Sequence, residues 1–390
     1  MDLRARFPGV SEADWRDWRW QLRHALRAEA ELARLVQLTP EERRGLALAG
    51  LRTGVTPYYA ALMDPAHPAC PVRRQAIPLE AEGAAAPGDL ADPTGEEPHR
   101  PARAVVRKYP DRVLLLVTDS CPVYCRHCTR RRITGGEEGA FDRAAVEEGV
   151  AYVRAHPEVR DVIVSGGDPL VLSDERLLAV LQALRDIPHV RLLRLATRAP
   201  VVLPMRVTEA LAAGLRRLAP LFVVTHFNHA KELTAEAREA CLRLVDHGVP
   251  VENQAVLLRG LNSSPRALGD LLETLLTWRV RPYYLHQGDL VAGTGHLRTP
   301  LEAGVALLRG LRGRVSGLAV PHLAVDLPDG SGKITLAPDY TGRGGFERGA
   351  EGGVAGTWLT GHQGRRVLYP DPPSADCDCP YDAVWYAGRS

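Results

Sequence analysis

The chain has 390 residues, 45% of them hydrophobic and 25% charged, with a formal net charge of +2. That balance excludes a global electrostatic case for binding nucleic acid or a membrane surface, and the length allows two or three domains or one large β/α unit. No apolar run reaches the ~18 to 20 residues of a membrane span, and the start MDLRARFPGVSEADW lacks a signal peptide's apolar core, so a cytoplasmic location is expected.

Residues 1–104 form a helical region with a linker. WRDWRWQLRHALRAEAELARLV carries apolar residues at helical spacing. LTPEERRGLALAGL opens with Thr39 as N-cap, Pro40 at the first helical position and Glu42 at the capping-box position. From residue 80 to 104 Gly, Pro, Ala and acids predominate, which predicts a linker or an extended wrapping segment. Residues 105–339 follow a regular rhythm. Strand candidates RVLLLVT (112–118), DVIVSGG (161–167), VRLLRLAT (190–197), LFVVTHF (221–227), VENQAVLL (251–258) and RPYYLHQ (281–287) alternate with helix-like segments. After a longer first crossover they recur about every 30 residues, the length of a βαβ unit. The expectation is an α/β fold, a six-stranded partial (β/α) barrel, with a doubly wound sheet as the alternative. The polar motifs fall at the carboxyl ends of the strands, where parallel β/α folds build active sites. LAVPHLAVDL is a further strand candidate, and residues 340–390, rich in glycine and polar residues, read as an extended arm suited to oligomerisation.

The stretch TDSCPVYCRHCTRRR places Cys121, Cys125 and Cys128 within eight residues. Seven unevenly spaced cysteines suggest metal ligation in a reducing compartment, not a disulfide framework. The Cys-x3-Cys-x2-Cys spacing lets three thiolates converge on one four-iron cluster and leaves one iron open for a small molecule. The blander alternatives are a zinc knuckle using His127, or plain buried thiols. A non-enzyme alternative is an iron–sulfur regulator that uses RHCTRRR on nucleic acid, with steeply salt-dependent binding. Cys70 and Cys241 read as packing residues.

Of 49 basic residues only three are lysines, Lys108, Lys231 and Lys333. Where arginine is the default cation, a retained lysine is a candidate for chemistry that needs a deprotonated amine. Lys231 reads as a surface charge at a helix start. Lys333 ends PDGSGK, but a P-loop would need Gly at 327 and Ser or Thr at 334, and the chain has Leu327 and Ile334.

The CxxxCxxC motif, with Tyr124 before its second cysteine, resembles that of radical S-adenosylmethionine (SAM) enzymes. More closely, KYPDRVLLLVTDSCPVYCRHCTRRR, VIVSGGDPL, RAPVVLP, THFNHAKELT, NQAVLLRGLN, RPYYLHQGDL and AVDLPDGSGK resemble the lysine 2,3-aminomutase family, within a likeness running from near residue 13 to residue 333. The resemblance implies an isomerase of the radical SAM type that uses a 4Fe-4S cluster, SAM and pyridoxal 5′-phosphate (PLP). Its reaction would be a 1,2-amino shift, started by a 5′-deoxyadenosyl radical, that turns L-lysine into β-lysine. It implies that Cys121, Cys125 and Cys128 ligate the cluster and that Ser165, Gly166, Gly167 and Asp168 meet the methionine end of SAM. Thr197, His226 and Gln254 would complete the SAM pocket. Lys333 would form the Schiff base with PLP, and Lys108, Tyr109 and Arg112 would hold its phosphate. Arg130 would bind the substrate α-carboxylate, as a planar fork suits a carboxylate, while Asp289 and Asp326 would grip the distal ammonium. Two carboxylates in a dry pocket select a cationic side chain. Glutamate, arginine and a lysine side chain of a translation factor remain alternative substrates. The family also implies a one-electron reductant such as flavodoxin or ferredoxin and a homodimer or homotetramer. Its well-studied members bind zinc with three tail cysteines and a loop cysteine. Here only Cys377 and Cys379 stand in the tail, and Ser264 takes the loop position, so no zinc is expected.

Overall fold

The computed structural model describes residues 3–370 apart from Ala49, Leu51, 135–140, 341–346, Gly352 and 361–363. Cys377 and Cys379, expected as remnants of a zinc site, lie outside the described residues. The chain divides into two compact units, Met1–Ala337 and Pro338–Ser390.

The first unit is built on nine strands in sequential order. They are β1 (Val105–Tyr109), β2 (Arg112–Leu116), β3 (Asp161–Ser165), β4 (Leu192–Ala196), β5 (Leu221–Thr225), β6 (Val251–Leu257), β7 (Val280–Gln287), β8 (His322–Asp326) and β9 (Lys333–Leu336). Strands β2 to β8 run parallel, and β1 and β9 flank them antiparallel. The expected six strands are β2 to β7 and the further candidate is β8, and the sheet reaches nine because each flank also carries a short antiparallel strand. VVRKY and KITL hide those strands in sequence, since charge and shortness break the apolar signal. Among the described residues no ladder joins β1 to β9.

Side chains alternate across the sheet with a period of two. Val162, Val164, Leu193, Leu195, Val251, Ala255 and Leu257 are buried under the helices. Ile163, Arg194, Ala196, Gln254 and Val256 line a cavity on the other face. The covering helices, Arg143–Ala155, Asp174–Arg185, Glu209–Arg216, Ala235–Asp246, Pro265–Thr277 and Leu301–Leu311, bury stripes such as Leu268, Leu271, Leu272 and Leu275. The first five start at Asp142, Ser173, Thr208, Thr234 and Ser264, whose side chains each accept a backbone N–H of the first turn. Ser264 is therefore a helix cap. Among the described residues no helix is long and apolar enough to cross a membrane.

The N-terminal helical pattern is broken into short pieces, Glu12–Arg16, Trp18–Arg23 and Glu29–Leu32, because Asp17 caps a second start and Leu26 bridges to Val55. The expected box at Thr39 forms in full: Glu42 N–H donates to the Thr39 hydroxyl (3.2 Å) and Thr39 N–H to the Glu42 carboxylate (2.7 Å). Glu42 also takes the fully buried Arg73 guanidinium through two 2.5 Å bonds. Tyr58 and Tyr59 then tie this region to the segment after β5, bonding the hydroxyl of Thr234 (2.5 Å) and the carboxylate of Glu232 (2.6 Å).

In the second unit, β10 (Arg348–Glu351), β11 (Val354–Thr360) and β12 (Arg366–Pro370) form an antiparallel meander. Within the expected C-terminal arm, the strands within residues 348–370 pair into this meander. β-Branched and aromatic residues in GTWLT and RVLYP suffice to pair them.

Candidate active site

Every candidate residue proposed above within the described chain, from Lys108 on β1 to Lys333 on β9, lines one cavity of about 420 Å³. The loop after β2 carries Cys121, Cys125 and Cys128. Burial pushes the Cys121 and Cys128 thiols up, and the neighbouring thiols add to it. An electropositive iron centre reverses that effect, since a coordinating thiol is deprotonated. Among the described residues no three His, Cys, Asp or Glu side chains surround a single point closely enough to hold one metal ion. A four-iron cube is ligated one thiolate per iron, so it suits three thiols spread along a loop.

The SGGD turn is stitched to that loop. Ser165 ends β3 with its carbonyl accepting Val117 N–H (3.0 Å), and Gly167 and Asp168 N–H donate to the carbonyls of Thr118 (2.6 Å) and Ser120 (2.9 Å). Gly166 has φ +129°, and a Cβ there would lie 2.2 Å from the Thr118 oxygen. This close backbone approach is made to the protein's own cysteine loop. Gly166→Ala is expected to cost roughly 2–4 kcal/mol, read as a lower urea midpoint. An unchanged midpoint would refute the steric requirement. The buried Asp168 carboxylate accepts Leu170 N–H (3.0 Å), the Thr197 hydroxyl (2.6 Å) and Arg198 N–H (2.8 Å). Asp168 and Thr197 thus lock the β3 and β4 loops together.

Two histidines on the same wall are only half partnered, with Asn228 Nδ2 3.4 Å from Nε2 of His127. His127 and His226 stack at 5.2 Å, tilted by 53°. Nδ1 of His127 and Nε2 of His226 are buried without a hydrogen bond, and burial holds both rings neutral. Both residues line the cavity, and an unpartnered buried nitrogen on its wall is chemistry that a polar ligand such as SAM could satisfy.

The segment 80–97 supplies what sequence reasoning missed. Glu82 takes Arg126 (2.8 and 2.5 Å) and Arg131 (2.5 Å). Glu96 takes Arg130 through Nε (2.9 Å) and Nη2 (2.7 Å), and Glu97 takes Arg132 (2.5 Å). Arg131 and Arg132 are ion-paired and not solvated charges. The basic run that suggested a nucleic-acid patch is neutralised by this strap. Nη1 of Arg130 stays unbonded among the described residues.

Lys333 opens β9 directly after a hairpin turn closed by Leu327 N–H to the Gly332 carbonyl (2.9 Å). Gly330 and Gly332 have φ +80° and +113°, and a Cβ on Gly332 would lie 2.9 Å from the Tyr109 hydroxyl. The glycines make a tight turn, not a loose tether. Lys333 N–H donates to the Tyr109 hydroxyl (2.8 Å), so the two sheet edges meet at this residue. Its Nζ donates to Asp326 and to Nδ1 of His286 (3.2 Å). An ammonium can only donate, so Nδ1 accepts, and Nε2–H points to Gln254 Oε1 at 3.4 Å. Burial, then the Lys333 charge, keeps His286 neutral. Asp289, just past β7, accepts the Thr129 hydroxyl (2.6 Å). Burial, reinforced by Asp326, pushes its carboxyl up to about 6. Beside them Lys108 donates to the Thr94 carbonyl (2.6 Å), and Arg112 pairs with Asp111 (2.9 Å) while lying 4.8 Å over the Tyr109 ring. Lys108 and Arg112 place two cationic side chains on the cavity wall, of the kind an anionic group needs.

A sequence profile of the radical SAM superfamily matches residues 115–272, and one for lysine-2,3-aminomutase matches residues 308–345. The L-lysine 2,3-aminomutase of Clostridium subterminale is 46% identical over 86% of this chain and 81% of its own length. The chain belongs to the lysine 2,3-aminomutase family. The L-lysine 2,3-aminomutase of Bacillus subtilis is 45% identical over 85% of the chain and 71% of its own length. The glutamate 2,3-aminomutase of Clostridioides difficile is more distant, 38% identical over 94% of the chain and 85% of its own length. Membership makes this protein a radical SAM isomerase with a 4Fe-4S cluster and SAM, and lysine 2,3-aminomutases use PLP as well.

Proposed function

We propose that the protein converts L-lysine to β-lysine, with Cys121, Cys125 and Cys128 holding the cluster and Lys333 holding PLP. The observation that carries the substrate choice is the acidic corner where Asp289 and Asp326 meet Lys333. A carboxylate whose pKa is raised by burial, and further by its neighbour, gains most from an incoming ammonium. When bound, the cofactors supply the radical that removes a hydrogen and the conjugation that lets nitrogen migrate. Lys333 must lose a proton to attack a carbonyl. Nδ1 of His286 and the Asp326 carboxylate are the acceptors within reach. Once Lys333 is no longer an ammonium, Asp326 is released to pair with the substrate's distal ammonium, beside Asp289. Arg130, held in plane by Glu96, offers its remaining edge to the α-carboxylate. Glutamate would place a carboxylate against this corner, and like charges there cost several kcal/mol.

The same corner sets a pH dependence. Asp289 must be ionised to hold an ammonium, so KM for lysine should rise about tenfold per pH unit below 6 and stay flat above it. The sign for stability runs the other way. A raised native pKa means the folded state binds the proton more tightly than the unfolded chain, so stability falls as pH rises from the ordinary carboxylate range to about 6. A KM that is level from pH 7 to 5 would contradict the role of Asp289.

The decisive test is anaerobic incubation with L-lysine, SAM, PLP and dithionite, followed by product analysis. β-Lysine is expected. Its absence from enzyme with cluster and PLP both bound would remove the assignment. We place the protein in the cytoplasm as a homodimer or homotetramer served by a flavodoxin or ferredoxin, on the family's chemistry and its need for a low-potential electron.

A further inference from the structure

We propose that Arg198 tunes the reduction potential of the cluster by donating a fixed hydrogen bond to the sulfur of Cys125, which rests on the assignment of Cys125 as a cluster ligand. Nη1 of Arg198 lies 2.8 Å from Cys125 Sγ. The residue sits in the loop after β4 and is 7% exposed. The two other thiols are treated differently. Cys128 has neutral partners, the Thr134 hydroxyl at 3.5 Å and the backbone N–H of Arg130, and no side-chain donor reaches Cys121 among the described residues.

The guanidinium has no freedom to turn. Its Nε donates to the His226 carbonyl (3.1 Å), and Nη2 is shared among Gln75 Oε1 (2.5 Å), Glu232 Oε1 (2.7 Å) and the Tyr59 hydroxyl (3.1 Å). Its backbone N–H is held by Asp168. Glu232 is fully buried and fixed in turn, accepting the Tyr59 hydroxyl and the N–H groups of Asn228 (2.7 Å) and His229 (3.0 Å). Parts of the chain far apart in sequence therefore converge to aim one N–H at one sulfur. A network needed only to neutralise Glu232 has no reason to spend a guanidinium edge on a thiol.

Reduction adds one negative charge to the cluster and its thiolates. A cationic N–H donor on a ligand sulfur stabilises that charge and raises the potential, as hydrogen bonds to sulfur do in iron–sulfur proteins generally. Arg198 thus eases entry of the electron that starts the reaction. It acts through Cys125, and is a positioning residue in that sense.

The test is a redox titration of reconstituted enzyme, following the EPR signal of the reduced cluster at fixed solution potentials. Arg198→Gln, with full iron content, is expected to lower the ratio of reduced to oxidised cluster about tenfold at a given potential, which is 59 mV for a one-electron couple. Arg198→Lys, which keeps the charge without the fork, should fall between. An unchanged midpoint in iron-replete Arg198→Gln overturns the proposal. Should that variant fail to hold its cluster, the wild-type enzyme labelled with ¹⁵N-arginine decides. Pulsed EPR of the reduced state should show a guanidinium nitrogen coupled to the cluster, and its absence overturns the proposal equally. A wild-type protein with no such cluster signal removes the ligand assignment, and this inference with it.

Discussion

Lys333→Arg is expected to leave the fold intact and to lower lysine turnover by roughly four orders of magnitude or more, the scale seen when a covalent catalytic group is deleted. The structural part of Lys333 is its backbone, which pairs with Asp326 across the hairpin and donates to Tyr109. Arginine keeps both, and its charge can still meet Asp326. What arginine cannot do is lose a proton and attack an aldehyde carbon. Borohydride treatment followed by mass analysis should fix the cofactor's mass on the peptide bearing Lys333 in the parent enzyme and on no peptide of the variant. Full turnover by Lys333→Arg would refute the assignment.

Asp289→Asn carries the second large effect. The amide keeps the Thr129 bond, because its oxygen accepts the same hydroxyl, so the pocket should retain its shape. An ammonium left against a neutral partner in a buried site loses about 3–5 kcal/mol. That predicts a drop in kcat/KM for lysine of roughly 10² to 10³-fold. Norleucine, which lacks the distal ammonium, should gain relative to lysine in the variant. A double variant with Asp326→Asn should prefer norleucine outright, although Asp326 also holds Lys333, which makes Asp289 the cleaner arm. Unchanged discrimination between the two amino acids would show that the aspartates do not read the side chain.

The parts legible in sequence were those with a dense local signature. Three clustered thiols, the SGGD turn and a rare lysine after glycines each stand out within a few residues, and the strand rhythm placed them at one end of a parallel sheet. Residues whose meaning lies in distant pairing stayed hidden. Glu82 and Glu96 sit in a stretch rich in Gly, Pro and Ala with no periodicity, and nothing local reveals that they meet Arg126, Arg130 and Arg131. Arg198 is one arginine among dozens until Cys125 is seen beside it. His286 lay within RPYYLHQGDL, yet only the β8–β9 hairpin brings Lys333 against it. The helix broken at Asp17 shows the opposite failure, where a sound apolar period was overruled by one side chain that starts a new turn.

The arginine–carboxylate pairs between the strap and the cysteine loop bear on how this enzyme is assembled. Glu82, Glu96 and Glu97 clamp the loop on both sides of its last cysteine through ion pairs made by the protein alone. Part of the entropic toll of ordering that loop is therefore offset by contacts within the protein, and the cluster need not supply all of it.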